Sequence, residues 1–194
     1  MPITHLLYLH GFRSSPQSIK AKKVAARVQA RNPEVVWWCP QLPPSPRAAM
    51  AMVMQGIASW PRESMAVMGS SLGGFYATWV AQQTGCPAVL LNPAVFPARD
   101  LAAYIGEQTQ FHSPEERFFF EPAFVEELRA LEFDRLEAPG KIFAVIAQGD
   151  ELLDWREMTG RYPGATIRLL PGGDHALSDF DDHIDAIFDF LNLD

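Results

Sequence analysis

The stretch Met65–Gly74, which reads MAVMGSSLGG, determines how the rest of this sequence is interpreted. Its first part, Met65–Met68, is an unbroken apolar run, as is typical of strands that are buried on both faces of a sheet. A helical pattern follows over Leu72–Thr84, and the turn between them, Gly69–Gly73, matches the pattern G-x-S-x-G. So tight a passage from strand to helix strains the backbone of Ser71, the central residue. It also requires glycine at both ends of the turn, because a Cβ there would collide with neighbouring backbone.

Other apolar runs resemble Met65–Met68 and alternate with helical patterns. The runs are Ile3–Leu9, Val35–Cys39, Ala88–Leu91, Ile142–Ala147 and Thr166–Leu170. The further helical patterns are Pro16–Arg31 (with Ser15 as its expected N-cap), Pro46–Trp60 and Ser178–Leu191. This alternation predicts an α/β protein with a doubly wound, mostly parallel six-stranded sheet and helices on both faces.

The composition is that of a single globular domain over residues 1–194. Hydrophobic residues make up 48% and charged residues 20%, which excludes a disordered chain. No apolar run reaches the about 18 residues that a membrane-spanning helix needs, and the start MPITHLLYLHG lacks the features of a signal peptide. Two cysteines, Cys39 and Cys86, provide no disulfide framework, and a net charge of −7 disfavours nucleic acid as a partner. We therefore expect a cytoplasmic protein that acts on neither membranes nor nucleic acid.

The charges are distributed unevenly along the chain. Residues 1–62 carry eight basic side chains and one acid, whereas residues 63–194 carry eight basic side chains and 22 acids. The bases on the first predicted helix are Lys20, Lys22, Lys23, Arg27 and Arg31. They form either a solvated helix face or a contact for phosphates or an acidic partner surface.

The segment from residue 96 to residue 138 interrupts the alternation of strands and helices. It contains a helical pattern, Ala123–Leu131, several phenylalanines and no good strand candidate. An excursion of about 40 residues exceeds what a crossover between two strands needs. We expect a helical insertion, either as padding of the crossover or as a lid, because long connections often cover binding sites.

Ser71 is the first of three residues that chemistry connects. A serine hydroxyl is a weak nucleophile unless a base takes its proton, and an acid in turn orients that base. His175 follows Thr166–Leu170 and Asp150 follows Ile142–Ala147, so all three residues lie at the carboxyl ends of predicted strands. Their order along the chain, Ser then Asp then His, is the order in which this architecture presents such a triad.

Other residues near these positions offer alternatives. Glu151 and Asp154 are alternative acids, and His112 and His183 are alternative bases. Asp150 is preferred because it lies nearest to a strand end, where the sheet fixes its position. His183 falls within the last predicted helix rather than at a strand end. The acids near the start of that helix are explained by the helix dipole, so no metal is expected.

Attack on a carbonyl creates a negatively charged oxygen, which requires hydrogen-bond donors near Ser71. The amide of Leu72 is one candidate, since it lies at the start of a helix. The second is the amide of Phe12, in the loop after the first strand, where Gly11 lets the backbone turn inward. The apolar side chains expected to wall the acyl pocket are Phe12, Phe96, Phe111 and Trp155.

Taken together, five stretches resemble the α/β-hydrolase superfamily and, within it, the small bacterial YqiA/YcfP-type esterases. They are YLHGFRSSP (Tyr8–Pro16), MGSSLGGFYATWVA (Met68–Ala81), LLNPAV (Leu90–Val95), QGDELLDW (Gln148–Trp155) and GGDHAL (Gly172–Leu177). The resemblance implies a minimal hydrolase fold without the first antiparallel strands, ester or thioester hydrolysis by a serine triad, and no cofactor. It implies Ser71 as nucleophile, Asp150 as acid and His175 as base. The active-site walls that it implies are Gly11, Phe12, Asn92 and Pro93.

We therefore expect a hydrolase of small-molecule acyl esters or thioesters that works through an acyl-enzyme intermediate. The phosphates of an acyl-CoA thioester are one group that the basic helix could seat. A peptidase or lactonase with the same three residues is an alternative within enzymes. A non-catalytic hydrolase-fold protein that binds a ligand or a partner is an alternative of another class.

Overall fold

The computed structural model describes residues 1–193 and is built on a six-stranded sheet. The strands in chain order are β1 (His5–Leu9), β2 (Val36–Trp38), β3 (Met65–Ser70), β4 (Ala88–Leu91), β5 (Gly106–Thr109), β6 (Arg117–Phe120), β7 (Ile142–Ala147) and β8 (Thr166–Leu170). The large sheet has the order β2-β1-β3-β4-β7-β8, and each neighbouring pair is parallel. The predicted α/β sheet is therefore confirmed, with β1 and β2 shorter than the apolar runs that predicted them.

The strand order opens a crevice beside Ser71. From β1 the chain moves outward to β2 and then returns to the other side of β1 to form β3. The loops after β1 and β3 therefore leave the sheet in opposite directions, and doubly wound proteins bind ligands between such loops. The register pairs Leu9 of β1 with Gly69 of β3, so the loop that begins at His10 runs beside Ser71.

Seven α-helices within residues 1–193 complete the fold. They are α1 (Ile19–Arg31), α2 (Pro46–Gly56), α3 (Leu72–Thr84), α4 (Pro97–Leu101), α5 (Pro122–Arg129), α6 (Trp155–Arg161) and α7 (Ile184–Leu191). Short 3₁₀ turns lie at Arg62–Ser64, Ala102–Tyr104, Pro139–Lys141 and Phe180–Asp182. None of these helices is long and apolar enough to cross a membrane.

Alternation along β1 divides the core into two layers. Leu7 and Leu9 pack with side chains of α2 and α3, whereas Leu6 and Tyr8 pack with side chains of α1 and α7. Successive side chains of a strand point to opposite faces, so this sheet buries apolar residues on both. The helices therefore cover both faces, as the unbroken apolar runs predicted.

Two helix ends differ from the sequence prediction. α1 begins after Ser18 rather than Ser15, because the Ser18 hydroxyl accepts a hydrogen bond from the amide of Ala21 and caps the helix there. α2 ends at Gly56, short of the predicted end at Trp60.

The last helix also begins later than predicted, at Ile184 instead of Ser178. Both the amide and the hydroxyl of Ser178 donate to the carboxylate of Asp174, which holds this stretch in a turn. The hydrogen bond from the Ser178 hydroxyl is also the main reason why the pKa of Asp174 lies below its ordinary value.

The connection between β4 and β7 contains a feature that the sequence analysis missed. β5 and β6 pair antiparallel, with Gly106 opposite Phe120, so the expectation of no strand between residues 96 and 138 was wrong. β5 reads GEQT, which has no apolar alternation, and of the two strands only Phe120 is fully buried. The expected helix is present as α5, which covers most of Ala123–Leu131.

Candidate active site

Ser71 lies in a sharp turn between β3 and α3, with φ 57° and ψ −122°. Non-glycine residues rarely adopt a positive φ, and such strain persists only where the surrounding structure fixes it. A Cβ on Gly69 would lie 1.9 Å from the carbonyl oxygen of Gly73, and a Cβ on Gly73 would lie 1.9 Å from the carbonyl oxygen of Leu9. Both positions therefore require glycine, as the G-x-S-x-G pattern predicted.

The loops after β7 and β8 carry Asp150 and His175 and lie against each other. The amide of Gly149 donates to the carbonyl oxygen of Gly172 over 3.1 Å. A Cβ on Gly149 would lie 2.2 Å from the carbonyl oxygen of Gly173, so only glycine permits this approach. Because β7 and β8 are neighbours in the sheet, the contact brings the carboxylate and the imidazole together.

Ser71, His175 and Asp150 form one hydrogen-bonded chain. The distance from Ser71 Oγ to His175 Nε2 is 3.0 Å, and that from His175 Nδ1 to Asp150 Oδ2 is 2.7 Å. The Asp150 side chain is fully buried and that of His175 is 17% exposed. A carboxylate only accepts, so Nδ1 carries the proton and Nε2 is left to accept from the serine hydroxyl. This arrangement can move a proton from Ser71 to the imidazole.

The other carboxylate oxygen of Asp150 is also occupied. Asp150 Oδ1 accepts hydrogen bonds of 2.8 Å from the amides of Leu152 and Leu153. The backbone of its own loop therefore fixes the orientation of this carboxylate. Of the alternative acids, Asp154 instead caps α6, accepting from the amide of Arg156.

Two side chains hold the loop of His175 in place. Asn92 Nδ2 donates to the carbonyl oxygens of Asp174 and His175 over 3.0 and 3.2 Å, and its Oδ1 accepts from the amide of Ala147 over 2.8 Å. Glu151, an alternative acid in the sequence analysis, accepts instead from the amide of His175 over 2.9 Å. Asn92 is completely buried, so it anchors this loop and is not the pocket wall that the resemblance implied.

The loop after β1 passes close to Ser71. A Cβ on Gly11 would lie 3.3 Å from Ser71 Cβ, so the backbone of this loop passes next to Ser71 just before Phe12. Within residues 1–193, neither the Phe12 amide nor the Leu72 amide donates a hydrogen bond. Leu72 begins α3, whose N-terminus favours negative charge. Both predicted oxyanion donors are thus unoccupied.

His10 links the same loop to the segment that contains Leu42. Its Nδ1 lies 2.9 Å from the carbonyl oxygen of Gly11, and its Nε2 accepts from the amide of Leu42 over 3.0 Å. Burial holds the pKa of His10 below its ordinary value and so keeps the ring neutral. His10 therefore holds this loop through hydrogen bonds.

A cavity of about 450 Å³ adjoins Ser71 and His175. Its size falls within the range of small-molecule pockets, about 300–1,000 Å³. Phe12 and Phe111 line it, as predicted, and so does His112. Phe12 is held edge-on by two aromatic rings of the insertion, those of Phe118 and Phe120, with centroids 5.9 and 5.3 Å away.

Besides Asn92, three predicted wall residues do not line this cavity. Phe96 is 38% exposed and stacks under the Arg99 guanidinium at the start of α4. Trp155 begins α6, on the outer side of the Asp150 loop. Pro93 packs against the Gly74 backbone, behind the nucleophile. The composition identified these residues as apolar but could not show in which direction they point.

His183 lies outside the cavity, whereas Lys20 lies at its wall. His183, an alternative base, is buried and lies 3.1 Å from Asp179, outside the cavity. Lys20, which the sequence analysis treated only as part of a basic helix, lines the cavity together with Ser71 and His175. The excess of bases over acids on α1 was the only signal for it.

The family model described as "Uncharacterised protein family (UPF0227)" matches residues 5–192, almost the whole sequence. The chain belongs to the UPF0227 family. This confirms the resemblance to YqiA/YcfP-type proteins that five short stretches had indicated.

Solved structures show the fold of this UPF0227 protein independently. A candidate hydrolase of Agrobacterium vitis S4 matches with a TM-score of 0.76 at 18% identity, over 98% of this chain and 91% of that one. The α/β-hydrolase domain-containing protein 10 from mouse matches with a TM-score of 0.70 at 15% identity, over 96% and 90%. A structure of the metagenome-derived lipolytic enzymes LipS and LipT matches with a TM-score of 0.70 at 17% identity, over 98% and 95%. The fold is therefore that of the α/β hydrolases.

Proposed function

We propose that this UPF0227 protein is a serine hydrolase that cleaves carboxylic esters or thioesters through an acyl-enzyme intermediate. The observation that carries the proposal is the hydrogen-bonded chain from Ser71 Oγ through His175 to Asp150, with distances of 3.0 and 2.7 Å. A strained serine, a neutral imidazole that accepts from it, and a buried carboxylate behind the imidazole are the parts of an activated nucleophile.

In the first half of the reaction, Ser71 Oγ attacks the acyl carbonyl carbon while His175 Nε2 takes the hydroxyl proton. The carbonyl oxygen becomes negatively charged and accepts hydrogen bonds from the amides of Leu72 and Phe12. Asp150 stabilises the imidazolium that has formed. When the tetrahedral intermediate breaks down, His175 gives its proton to the leaving alcohol or thiol, and the acyl group stays on Ser71.

In the second half, water replaces the alcohol. His175 takes a proton from the water, whose oxygen attacks the acyl carbon, and the same two amides again hold the oxyanion. The bond to Ser71 Oγ breaks, His175 returns the proton to Ser71, and the free acid leaves. Lipolytic enzymes and esterases occur among the proteins that share this fold, which favours ester chemistry over other uses of a serine triad.

Replacement of the nucleophile tests the proposal. Ser71→Ala should lower the turnover of p-nitrophenyl acyl esters and acyl thioesters by at least about 10⁴-fold, because no other side chain can form the acyl-enzyme. A fluorophosphonate probe should label the wild type at Ser71, and the labelled peptide is identified by mass spectrometry.

Ser70→Ala is the matched control, because it removes the neighbouring hydroxyl and leaves the nucleophile in place. It should retain labelling. Undiminished turnover in Ser71→Ala, or labelling at another residue, would refute the proposal.

A further inference from the structure

The cavity beside Ser71 differs in charge from the rest of the molecule. The chain carries 23 acidic side chains and a net charge of −7. Among residues 1–193, however, no aspartate or glutamate lines the cavity, whereas Lys20 and Lys23 do. A pocket lined by bases and no acids on an acidic protein favours a ligand with negative charge.

The two lysines differ in the groups that their ammonium groups contact. Lys23 Nζ lies 2.6 Å from Asp181 Oδ2, so its charge is already compensated. Lys20 forms no ion pair within residues 1–193, and its Nζ donates to the carbonyl oxygen of Ala176 over 2.5 Å. An ammonium group has three donors, and a carbonyl provides no compensating charge. Of the two lysines that line this cavity, Lys20 is therefore the one that no ion pair holds.

Lys20 is half-buried. Burial lowers the pKa of its ammonium group to about 8, although the nearby carboxylates of Asp174 and Asp150 act in the opposite direction. A partly desolvated charge that is in no ion pair is stabilised by an anion that enters the cavity.

Lys20 contacts the loop that carries His175. Ala176 is the residue after His175, so the ammonium group lies next to the chain segment that carries the base. An anion bound there would occupy the same cavity as the reacting acyl group.

We propose that Lys20 binds an anionic group of the substrate, a carboxylate or a phosphate, and that the preferred substrates are therefore negatively charged esters or thioesters. The inference rests on the proposed function, because the cavity is the one in which Ser71 would act.

Matched substrates test the inference. p-Nitrophenyl hydrogen adipate carries a terminal carboxylate, and the corresponding carboxamide ester has the same length and shape without the charge. Two further ester pairs carry a terminal phosphonate on the acyl chain or a carboxylate on the leaving phenol, each with its neutral counterpart. These arms show which anion is preferred and on which side of the ester bond.

The variants are Lys20→Met and, as its control, Lys22→Met. Lys22 lies on the same helix and is exposed, so its replacement removes an equal charge outside the cavity. Lys20→Met should lower kcat/KM for at least one anionic ester by about 10- to 100-fold, the loss expected for one hydrogen bond to a charged group. The neutral esters should change by less than about twofold, and Lys22→Met should leave every pair unchanged.

Equal losses on charged and neutral esters would mean that Lys20 only supports the Ala176 carbonyl, and the inference would fail. It would also fail if the wild type showed no preference for an anionic ester in any pair.

Measuring the binding of adipate distinguishes failure of the Lys20 inference from failure of the proposed function. Adipate should bind the wild type more tightly than Lys20→Met in isothermal titration calorimetry, a measurement that needs no turnover. If Ser71 is labelled by the fluorophosphonate probe but adipate binds both proteins equally, only the anion site is refuted. If adipate binding depends on Lys20 but no ester is hydrolysed, the site stands and the esterase proposal falls. Thermal unfolding of Lys20→Met verifies that the variant is folded.

Discussion

The loops that carry Ser71 and His175 border the same cavity as the turn of the β5–β6 hairpin, but different interactions hold them. Hydrogen bonds between strand ends fix the loops, such as that from the Ser71 amide to the Leu91 carbonyl over 3.0 Å. The hairpin instead contacts the loop after β1 largely through two side chains, those of Phe12 and Arg13. The sheet therefore determines where Ser71, His175 and Asp150 lie, whereas the hairpin acts on the site through one loop.

Arg13 is the main link between the hairpin and that loop. Its Nε donates to the carbonyl oxygen of Thr109 over 2.7 Å, and its guanidinium lies 4.4 Å from the ring centroid of Phe111. The Phe111 amide in turn donates to the Arg13 carbonyl oxygen over 2.8 Å. Arg13 has a φ of 57°, a conformation that non-glycine residues keep only where their surroundings impose it. The residue before it is Phe12, the proposed oxyanion donor.

The largest effect should come from the loops at the sheet edge. Asp150→Asn should lower kcat by about 10⁴-fold, because the amide favours the wrong tautomer of His175. Ester turnover measures the loss, and circular dichroism shows whether the fold is retained. Glu151→Gln is the control, because its amide oxygen can still accept from the His175 amide, and it should cost far less. Equal losses in the two variants would refute the assignment of Asp150 as the orienting acid.

An intermediate effect on kcat should follow when the hairpin loses its contact with the loop after β1. Arg13→Ala should lower kcat by about 10- to 100-fold, less than or comparable to the loss of one oxyanion donor, because it loosens the loop that positions the Phe12 amide. KM for neutral esters should change little, and fluorophosphonate labelling of Ser71 should slow in parallel with kcat. Arg117→Ala breaks an exposed ion pair with Glu107 on the same hairpin and should have almost no effect. If both variants behave alike, the hairpin does not position the donor.

The smallest effect should be the pH dependence of the preference for anionic esters. It concerns Lys20 on α1, which is held neither by a strand end nor by the hairpin. A lysine whose pKa is about 8 is charged at pH 7 and neutral at higher pH, so the preference for anionic over neutral esters should fall as pH rises through 8. The ratio of kcat/KM for the two esters should drop about five- to tenfold between pH 7 and pH 9. Titration of groups that act on both esters cancels in this ratio.

The charged groups around Lys20 are Lys23 on its own helix, Asp174 and Asp150 on the neighbouring loops, and His175. Lys20→Met should give a flat ratio over the same range. A ratio that keeps its pH dependence in this variant would assign the effect to one of these neighbours.

The contrast between the loops at the sheet edge and the hairpin also explains which features the sequence could predict. β3, β4 and β7 are apolar because both of their faces are buried, and the glycines of the Ser71 turn are required by backbone contacts at 1.9 Å. Such constraints leave a local pattern in the sequence, and so the strand ends and the candidate triad could be located from it.

The hairpin and the pocket walls lack a local pattern. β5 has four residues, none of them buried, and its contact with the main body through Thr109 is made to Arg13, which is far away in sequence. Phe96 and Trp155 are aromatic, but aromatic character does not determine which way a side chain points. Asn92 was placed near the site only by resemblance, and its bonds to the His175 loop exist only once β4, β7 and β8 are assembled.

The contacts of α1 have a consequence for synthesis of the protein. Lys20 bonds to a carbonyl 156 residues further along the chain, and Lys23 pairs with an acid 158 residues away. A growing polypeptide leaves the ribosome from its N-terminus, so the strongly basic first helix emerges long before its acidic partners exist. This wall of the cavity can therefore form only after residues 176–181 have been synthesised, so the anion site proposed at Lys20 is absent while α1 alone has emerged.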